Sequence, residues 1–344
     1  MSKEIYSNGY FLTQSIGGVQ RFARNILHEL DLILDQSVVD IKLVCLVPHS
    51  VETSYKHIAI KVVKPLIDRQ TYFEQITLPL HVKSEYLINL CHFAPIVKKH
   101  QLLVIHDSIY LHYPTRHSKF SLFLIRWLPR RVDNLVAVSN FIKNDLIKQY
   151  KLNKDILVVY NSADHLTPVV DNNDLYKFGL SSGCYVLMVS SQVTAIHKNF
   201  QLVKKYSEIS EQCIAIVGNC EEVINNAKLL GGVYIDSDLA CLYHNAFCFV
   251  FPSLQEGFGI PPLEAMTCGC PVIVSDIPVH HEVCGDAAIY FDPYDVMSLV
   301  AAIDKLKDKE LRDFMIQKGY ERSQKFSWAQ SASKLLDYIR SSNK

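Results

Sequence analysis

The chain has 344 residues, 49% of them hydrophobic and 20% charged, with 35 Lys and Arg against 35 Asp and Glu. That length accommodates two domains with a large core, and the balanced charge argues against nucleic acid as the main partner. Ten cysteines stand in apolar contexts such as Leu43-Val-Cys45-Leu and Phe247-Cys248-Phe with no C-x-x-C pair, which excludes zinc-ribbon and dithiol chemistry and reads as buried thiols in a reducing compartment.

Lys3 to Ser7 reads as a first strand, followed by a loop that ends in Gly17-Gly18. Val19, Phe22, Ala23, Ile26, Leu27, Leu30, Ile33 and Leu34 then recur at the spacing of one apolar helix face. Ile41 to Val47, Ile58 to Val63, Tyr86 to Leu90, Leu102 to Ile105, Leu135 to Val138 and Ile156 to Val159 are further strands, with helical patterns over Gln70 to Val82 and Asn140 to Gln149. Strand alternating with helix predicts a parallel sheet covered on both faces.

Between Asn161 and Ser182 the texture turns to Asp, Asn, Pro, Ser and Gly, a linker with a short helix. A second alternating set follows, with strands at Tyr185 to Val189, Ile214 to Val217, Val233 to Ile235, Phe247 to Phe251, Val272 to Val274 and Ala288 to Phe291. Helices are predicted at Asn199 to Ile209, Leu239 to Asn245, Pro261 to Cys268 and Val296 to Leu306, and the stretch after Leu311 is helical with a break near Phe326-Ser327-Trp328. The expectation is two doubly wound α/β domains facing across a cleft, 1–165 with 327–344 and 166–326. No run approaches the ~20 apolar residues of a membrane span and no secretory leader is evident, so the protein is expected in the cytoplasm.

The most informative stretch is Phe251-Pro-Ser-Leu-Gln-Glu256-Gly257-Phe258-Gly259-Ile-Pro-Pro-Leu-Glu264-Ala-Met. It places Glu256 in a glycine-containing loop after a buried strand, and Glu264 as the single charge in a helix of otherwise apolar residues. A carboxylate so placed needs hydrogen-bond donors, and no Lys or Arg lies between Glu256 and Asp276. Two solvated surface glutamates fit the loop position tolerably and the helical one badly. The sharper reading is a pocket where both acids accept hydrogen bonds from ligand hydroxyls, such as those of a sugar or a ribose, while Gly257 and Gly259 let backbone N–H groups come close.

Glu256, seven residues, then Glu264 in this context resembles the E-x7-E motif of retaining glycosyltransferase family 4, which has the GT-B fold. The match runs on through Gly269-Cys-Pro-Val-Ile-Val-Ser-Asp to Glu282-Val-Cys-Gly-Asp-Ala-Ala. The resemblance implies that Glu256 and the amides of Gly257, Phe258 and Gly259 hold the donor sugar and that Glu264 holds the nucleotide ribose. It implies that the last helix crosses back to the first domain. It also implies a retaining, metal-independent transfer of a hexose from a nucleotide-diphospho-sugar, GDP- or UDP-type. Bacterial O-antigen or capsule assembly is the implied setting, with a glycan or polyprenyl-linked acceptor.

Further residues fall on the family's pattern. Gly17-Gly18-Val-Gln-Arg21 resembles its N-terminal glycine loop, where the plainer reading is an ordinary turn before a helix. His106-Asp107 follows the strand Leu102 to Ile105, where ligands of doubly wound sheets bind. The resemblance puts His106 beside the donor sugar and gives Asp107 an orienting role; the plainer reading is a satisfied histidine and a turn-capping aspartate. Lys198 is the expected diphosphate partner, a compact point charge. Many members carry an arginine six residues before it, where this chain has Gln192, so Arg21 is a candidate to share the diphosphate charge.

Asp236-Ser-Asp238 spells a metal-binding D-x-D, but it precedes a helix, and N-capping is the expected role there and at Asp292 and Asp295. The segment Arg116 to Arg131 interleaves five cations with Phe120, Phe123 and Trp127, with no acid from Ser108 to Val132. The plainer expectation is a helix that packs its aromatic face on the sheet; the alternative is peripheral contact with anionic lipid through 116–131. Two other functions share the architecture: a nucleotide-sugar epimerase, and a non-catalytic nucleotide-sugar-binding partner, the latter prompted by Gln192.

Overall fold

A computed structural model describes residues 3–36, 41–113, 118–167, 172–190, 195–220, 224–231 and 235–342. The chain divides into two compact units, Met1–Asn161 with Trp328–Lys344, and Ser162–Ser327.

The first unit is built on seven parallel strands: β1 (Lys3–Asn8), β2 (Ile41–Val47), β3 (Ala59–Val62), β4 (Tyr86–Asn89), β5 (Gln101–Ile105), β6 (Asn134–Ala137) and β7 (Ile156–Val158). Their order is β3-β2-β1-β4-β5-β6-β7, so the winding reverses between β1 and β4. Every residue of β4 and β5 is buried, which is why these strands read as continuous rather than alternating hydrophobic runs. Past β1 the backbone passes so close to β2 that a Cβ on Gly9 would lie 2.5 Å from Cys45 Sγ and 2.7 Å from the Leu46 carbonyl oxygen. The helix Gly18–Gln36 buries Phe22, Ala23, Ile26, Leu27 and Leu30, as its periodicity predicts. The last helix, Trp328–Ser342, belongs to this unit and sets the Trp328 ring edge-on to Phe22 at 5.9 Å.

Two expectations are corrected here. The helix expected over Gln70 to Val82 carries a π-turn at Phe73–Thr77 between short α-helical pieces, which buries Phe73 and Glu74 together. The helix Lys119–Arg131 turns Leu124, Ile125 and Leu128 inward, while Phe120, Phe123 and Trp127 are 48%, 46% and 49% exposed. Its aromatic face is therefore the outer one. Arg116 lies outside the described residues.

The second unit carries six parallel strands, β8 (Tyr185–Val189), β9 (Cys213–Val217), β10 (Ala227–Leu229), β11 (Cys248–Phe251), β12 (Val272–Ser275) and β13 (Ile289–Phe291), in the order β10-β9-β8-β11-β12-β13. The reversal falls between β8 and β11. Met188, Phe200, Ile214, Val250, Ile273, Phe291 and Leu299 form part of its core. The strand expected at Val233 to Ile235 falls mostly outside the described residues, and Ile235 instead precedes the helix Asp236–Asn245. The edge place is held by β10, whose Ala-Lys-Leu sequence offers little apolar signal. A helix at Pro278–Cys284 was also not anticipated.

Candidate functional site

In a doubly wound sheet, ligands bind outside the carboxyl ends of the strands where the winding reverses. In the second unit that place is flanked by the loops after β8 and β11. The first carries Lys198 and the second Glu256. Lys198 Nζ donates to Glu256 Oε1 at 2.5 Å, with the two side chains 16% and 10% exposed. The Leu254 N–H donates to the His197 carbonyl at 2.7 Å, tying the same loops through the backbone. Lys198 also lies 5.4 Å from the centre of the Phe251 ring. Gln192 is outside the described residues.

The β11 loop is held by packing and by one special backbone geometry. Phe258 is buried with its ring edge-on to Phe326 at 5.7 Å, so its side chain anchors the loop, and Gly257 and Gly259 on either side of it are buried as well. Gly259 has φ +92°, a region that disfavours side chains, and it precedes the helix Ile260–Thr267.

Glu264 lies within that helix and is 5% exposed. The donors its burial demands come from the protein: His165 Nε2 lies 3.2 Å from Oε1, and the Tyr243 hydroxyl donates to Oε2 at 3.0 Å. Burial and the adjacent carboxylate push the Tyr243 phenol well above its usual pKa, so it stays a donor. A carboxylate offers about four lone-pair directions, and two remain for further donors.

The aspartates of the D-x-D sit in the first turn of Asp236–Asn245, one and three residues past the N-cap position, which Ile235 holds; Lys177 pairs with Asp238. Carboxylates in a first helical turn are favoured by the helix dipole. Asp295 does act as a cap, accepting from the Met297 N–H at 2.9 Å, and Asp292 accepts from the Tyr294 N–H at 2.9 Å.

In the first unit, His106 follows β5 and is buried. Its Nε2 lies 2.7 Å from the Leu90 carbonyl, which can only accept, so Nε2 carries the proton and Nδ1 a lone pair. Burial, helped by His92, lowers the His106 pKa to about 3 against the opposing pull of the Leu90 carbonyl and Asp107, so the ring is uncharged at neutral pH. It stands edge-on to Phe22 at 4.9 Å, which brings it against the helix opened by Gly17 and Gly18. That helix begins with the Arg21 N–H donating to the Gly17 carbonyl at 2.8 Å.

Asp107 serves a residue the sequence reading passed over. Its Oδ2 accepts from His92 Nε2 at 3.1 Å, and its Oδ1 from the Ile109 N–H at 3.1 Å. Burial pushes the Asp107 carboxyl up, but His92 and the Ile109 N–H outweigh it and hold the group at about 2. His92 in turn lies edge-on to His106, 5.2 Å between ring centres. The available signal was position: His92 follows closely on β4, at the reversal of the winding.

Two doubly wound units of parallel strands are the architecture of the GT-B fold. Residues 54–165 match the family described as Glycosyltransferase Family 4, and residues 211–322 match Glycosyl transferases group 1. The chain belongs to these glycosyltransferases. It is 27% identical over 251 residues to the O-antigen chain mannosyltransferase RfbU of Salmonella typhimurium, covering 69% of each chain. It is 40% identical over 107 residues to O-antigen chain mannosyltransferase B of Escherichia coli, 31% of this chain and 28% of that protein. The sucrose-phosphate synthase of Thermosynechococcus elongatus superposes with TM-score 0.76 at 15% identity, covering 98% of both chains, a likeness of fold. No helix among the described residues is long and apolar enough to cross a membrane.

Proposed function

We propose that this chain transfers a hexose, mannose, from a nucleoside-diphospho-sugar to a lipid-linked glycan during assembly of a bacterial surface polysaccharide, with retention of configuration and without a metal. The observation that carries the reading is the Lys198–Glu256 pair at the carboxyl ends of β8 and β11. Its two halves match the two ends of the bond that breaks. Lys198 and the amides of Gly257 to Gly259 would meet the negative charge that develops on the diphosphate, which can itself take the acceptor proton. Glu256 would hold sugar hydroxyls as the carbon becomes cationic, and Glu264 would accept from the ribose through its remaining lone pairs. In the first unit, His106 Nδ1 is the proposed acceptor for a substrate hydroxyl, with Gly17, Gly18 and Arg21 as further substrate contacts. Mannose as the sugar is taken from the two O-antigen chain mannosyltransferases to which the chain is similar.

The outward aromatic face of Lys119–Arg131 supports contact with an anionic membrane surface, where a lipid-linked acceptor resides. Phe120, Phe123 and Trp127 stand on a helix that also carries Lys119, Arg126, Arg130 and Arg131 and no acid.

A thermal-shift screen of nucleoside diphosphates and their sugars tests the donor reading. A ligand at 100 times its Kd stabilises by ~2.7 kcal/mol. Stabilisation by GDP-mannose is expected; a panel in which no nucleotide sugar stabilises the protein contradicts the reading.

A further inference from the structure

His280 lies on the helix Pro278–Cys284 that follows β12, in the same unit as Lys198 and Glu256, and it is fully buried. Its Nδ1 is 2.8 Å from the Ser275 carbonyl oxygen, an obligate acceptor, so Nδ1 carries the proton. Burial, against the pull of that carbonyl and of Glu256, lowers the ring's pKa to about 4, which leaves it uncharged with a bare lone pair on Nε2. That nitrogen is inaccessible to solvent and has no hydrogen-bond partner. Ser253, two residues past β11 and 1% exposed, likewise has an unpartnered hydroxyl.

Leaving a buried polar atom unsatisfied costs about 1–3 kcal/mol, and such atoms call for an explanation where they occur. The location supplies one. The His280 ring lies 5.5 Å from that of Phe251, the same ring that Lys198 approaches, and the charges acting on His280 are those of Glu256, Lys198 and the neighbouring His281. An acceptor without a donor thus stands against the same aromatic ring as the lysine of the ion pair.

We propose that His280 is a donor-sugar contact: once the bound donor parts Lys198 from Glu256, Nε2 accepts a hydrogen bond from a hydroxyl of the sugar to be transferred. This rests on the reading of the pair as the donor site. It adds a sugar-recognising residue that neither the glutamate motif nor its loop contains.

The test compares a nucleoside diphosphate with its sugar conjugate, GDP and GDP-mannose, by titration calorimetry. His280→Asn keeps a donor at the Nδ1 position for Ser275 and deletes Nε2; His280→Gln places an acceptor near the Nε2 position. For His280→Asn we expect GDP affinity within about twofold of wild type and GDP-mannose affinity about tenfold weaker, roughly the value of one hydrogen bond. His280→Gln should recover part of the loss. Equal losses for both ligands, or none for GDP-mannose, would overturn the proposal while leaving the donor site standing. Should His280→Asn not fold, the same comparison on His280→Gln decides, with GDP-mannose binding nearer to wild type than that of His280→Leu expected and no difference between the two overturning it. A wild-type protein that binds neither ligand removes the donor-site reading, and this inference with it.

Discussion

Lys198 and Glu256 are 58 residues apart in sequence and 2.5 Å apart at their charged atoms, across the place where the second sheet reverses its winding. Neither charge is well solvated, and each is the other's main partner. On the proposed function, a donor bound here would exchange this internal contact for two external ones, diphosphate for the lysine and hydroxyls for the glutamate. The pairing limits the cost of burying both charges.

The energetic signature of such a pair is non-additivity. Removing one member of a buried ion pair costs ~3–5 kcal/mol, because the other charge is stranded. Lys198→Met and Glu256→Gln should each lower the unfolding free energy by an amount approaching that figure, since both side chains retain slight exposure. The double variant should lose clearly less than the two losses combined. Urea denaturation of the four proteins checks this; strict additivity would mean that the contact contributes nothing.

Buried titratable groups give the stability two opposing pH dependences. His106 and His280 have folded pKa values of about 3 and about 4, below the ordinary 6.5, so the unfolded chain binds more protons and stability falls as pH drops from about 6.5 toward 4. Glu74 is raised by burial from 4.5 to about 7, against hydrogen bonds from Gln70 and Asn8, so its contribution is complete below 4.5 and is lost as pH rises through 7. Glu74→Gln should therefore flatten the decline on the alkaline side, and His280→Asn the decline on the acid side. Melting temperatures across pH 4.5 to 8.5 report both; an unchanged alkaline limb in Glu74→Gln would contradict the first.

Gly259 holds the turn from the β11 loop into the Glu264 helix at φ +92°. A Cβ there meets only ordinary contacts, the nearest being the Phe251 ring at 3.6 Å, so the obstacle is backbone conformation and not space. Gly259→Ala should cost ~1–2 kcal/mol and raise the KM for the donor more than it lowers kcat. A melting temperature and KM equal to wild type would show that the turn is not constrained.

The exposed aromatic face of Lys119–Arg131 makes a separate prediction. Phe123→Ser with Trp127→Ser should abolish co-sedimentation with vesicles containing anionic lipid and leave the melting temperature nearly unchanged, because neither side chain is part of the core. Equal sedimentation of variant and wild type would remove the membrane contact.

What the sequence could and could not tell follows from range. Glu256, Gly259 and Glu264 lie within one loop and one helix, so the place of each follows from local sequence. The partners of Glu264 lie 99 and 21 residues away at His165 and Tyr243, and no local pattern names them. His280 is equally invisible, since what singles it out is an empty lone pair, whereas His92 offers only its place just after β4. The π-turn at Phe73–Thr77 leaves the apolar spacing helical and so does not show in it. On Lys119–Arg131 both the aromatic set and the set Leu124, Ile125 and Leu128 have helical spacing, and periodicity alone cannot say which faces the protein. Strand β10 was missed because an exposed three-residue edge strand offers too little apolar pattern to read.

The central claim, that Glu256 and Lys198 grip an activated sugar at its two ends, is tested most directly by transfer itself. Sugar transfer from labelled GDP-mannose to lipid-linked acceptor in bacterial membranes should be at least ~100-fold slower in kcat/KM for Glu256→Gln and for Lys198→Met, a loss of ~2.7 kcal/mol or more of transition-state stabilisation. Turnover within a few-fold of wild type in both folded variants would contradict it.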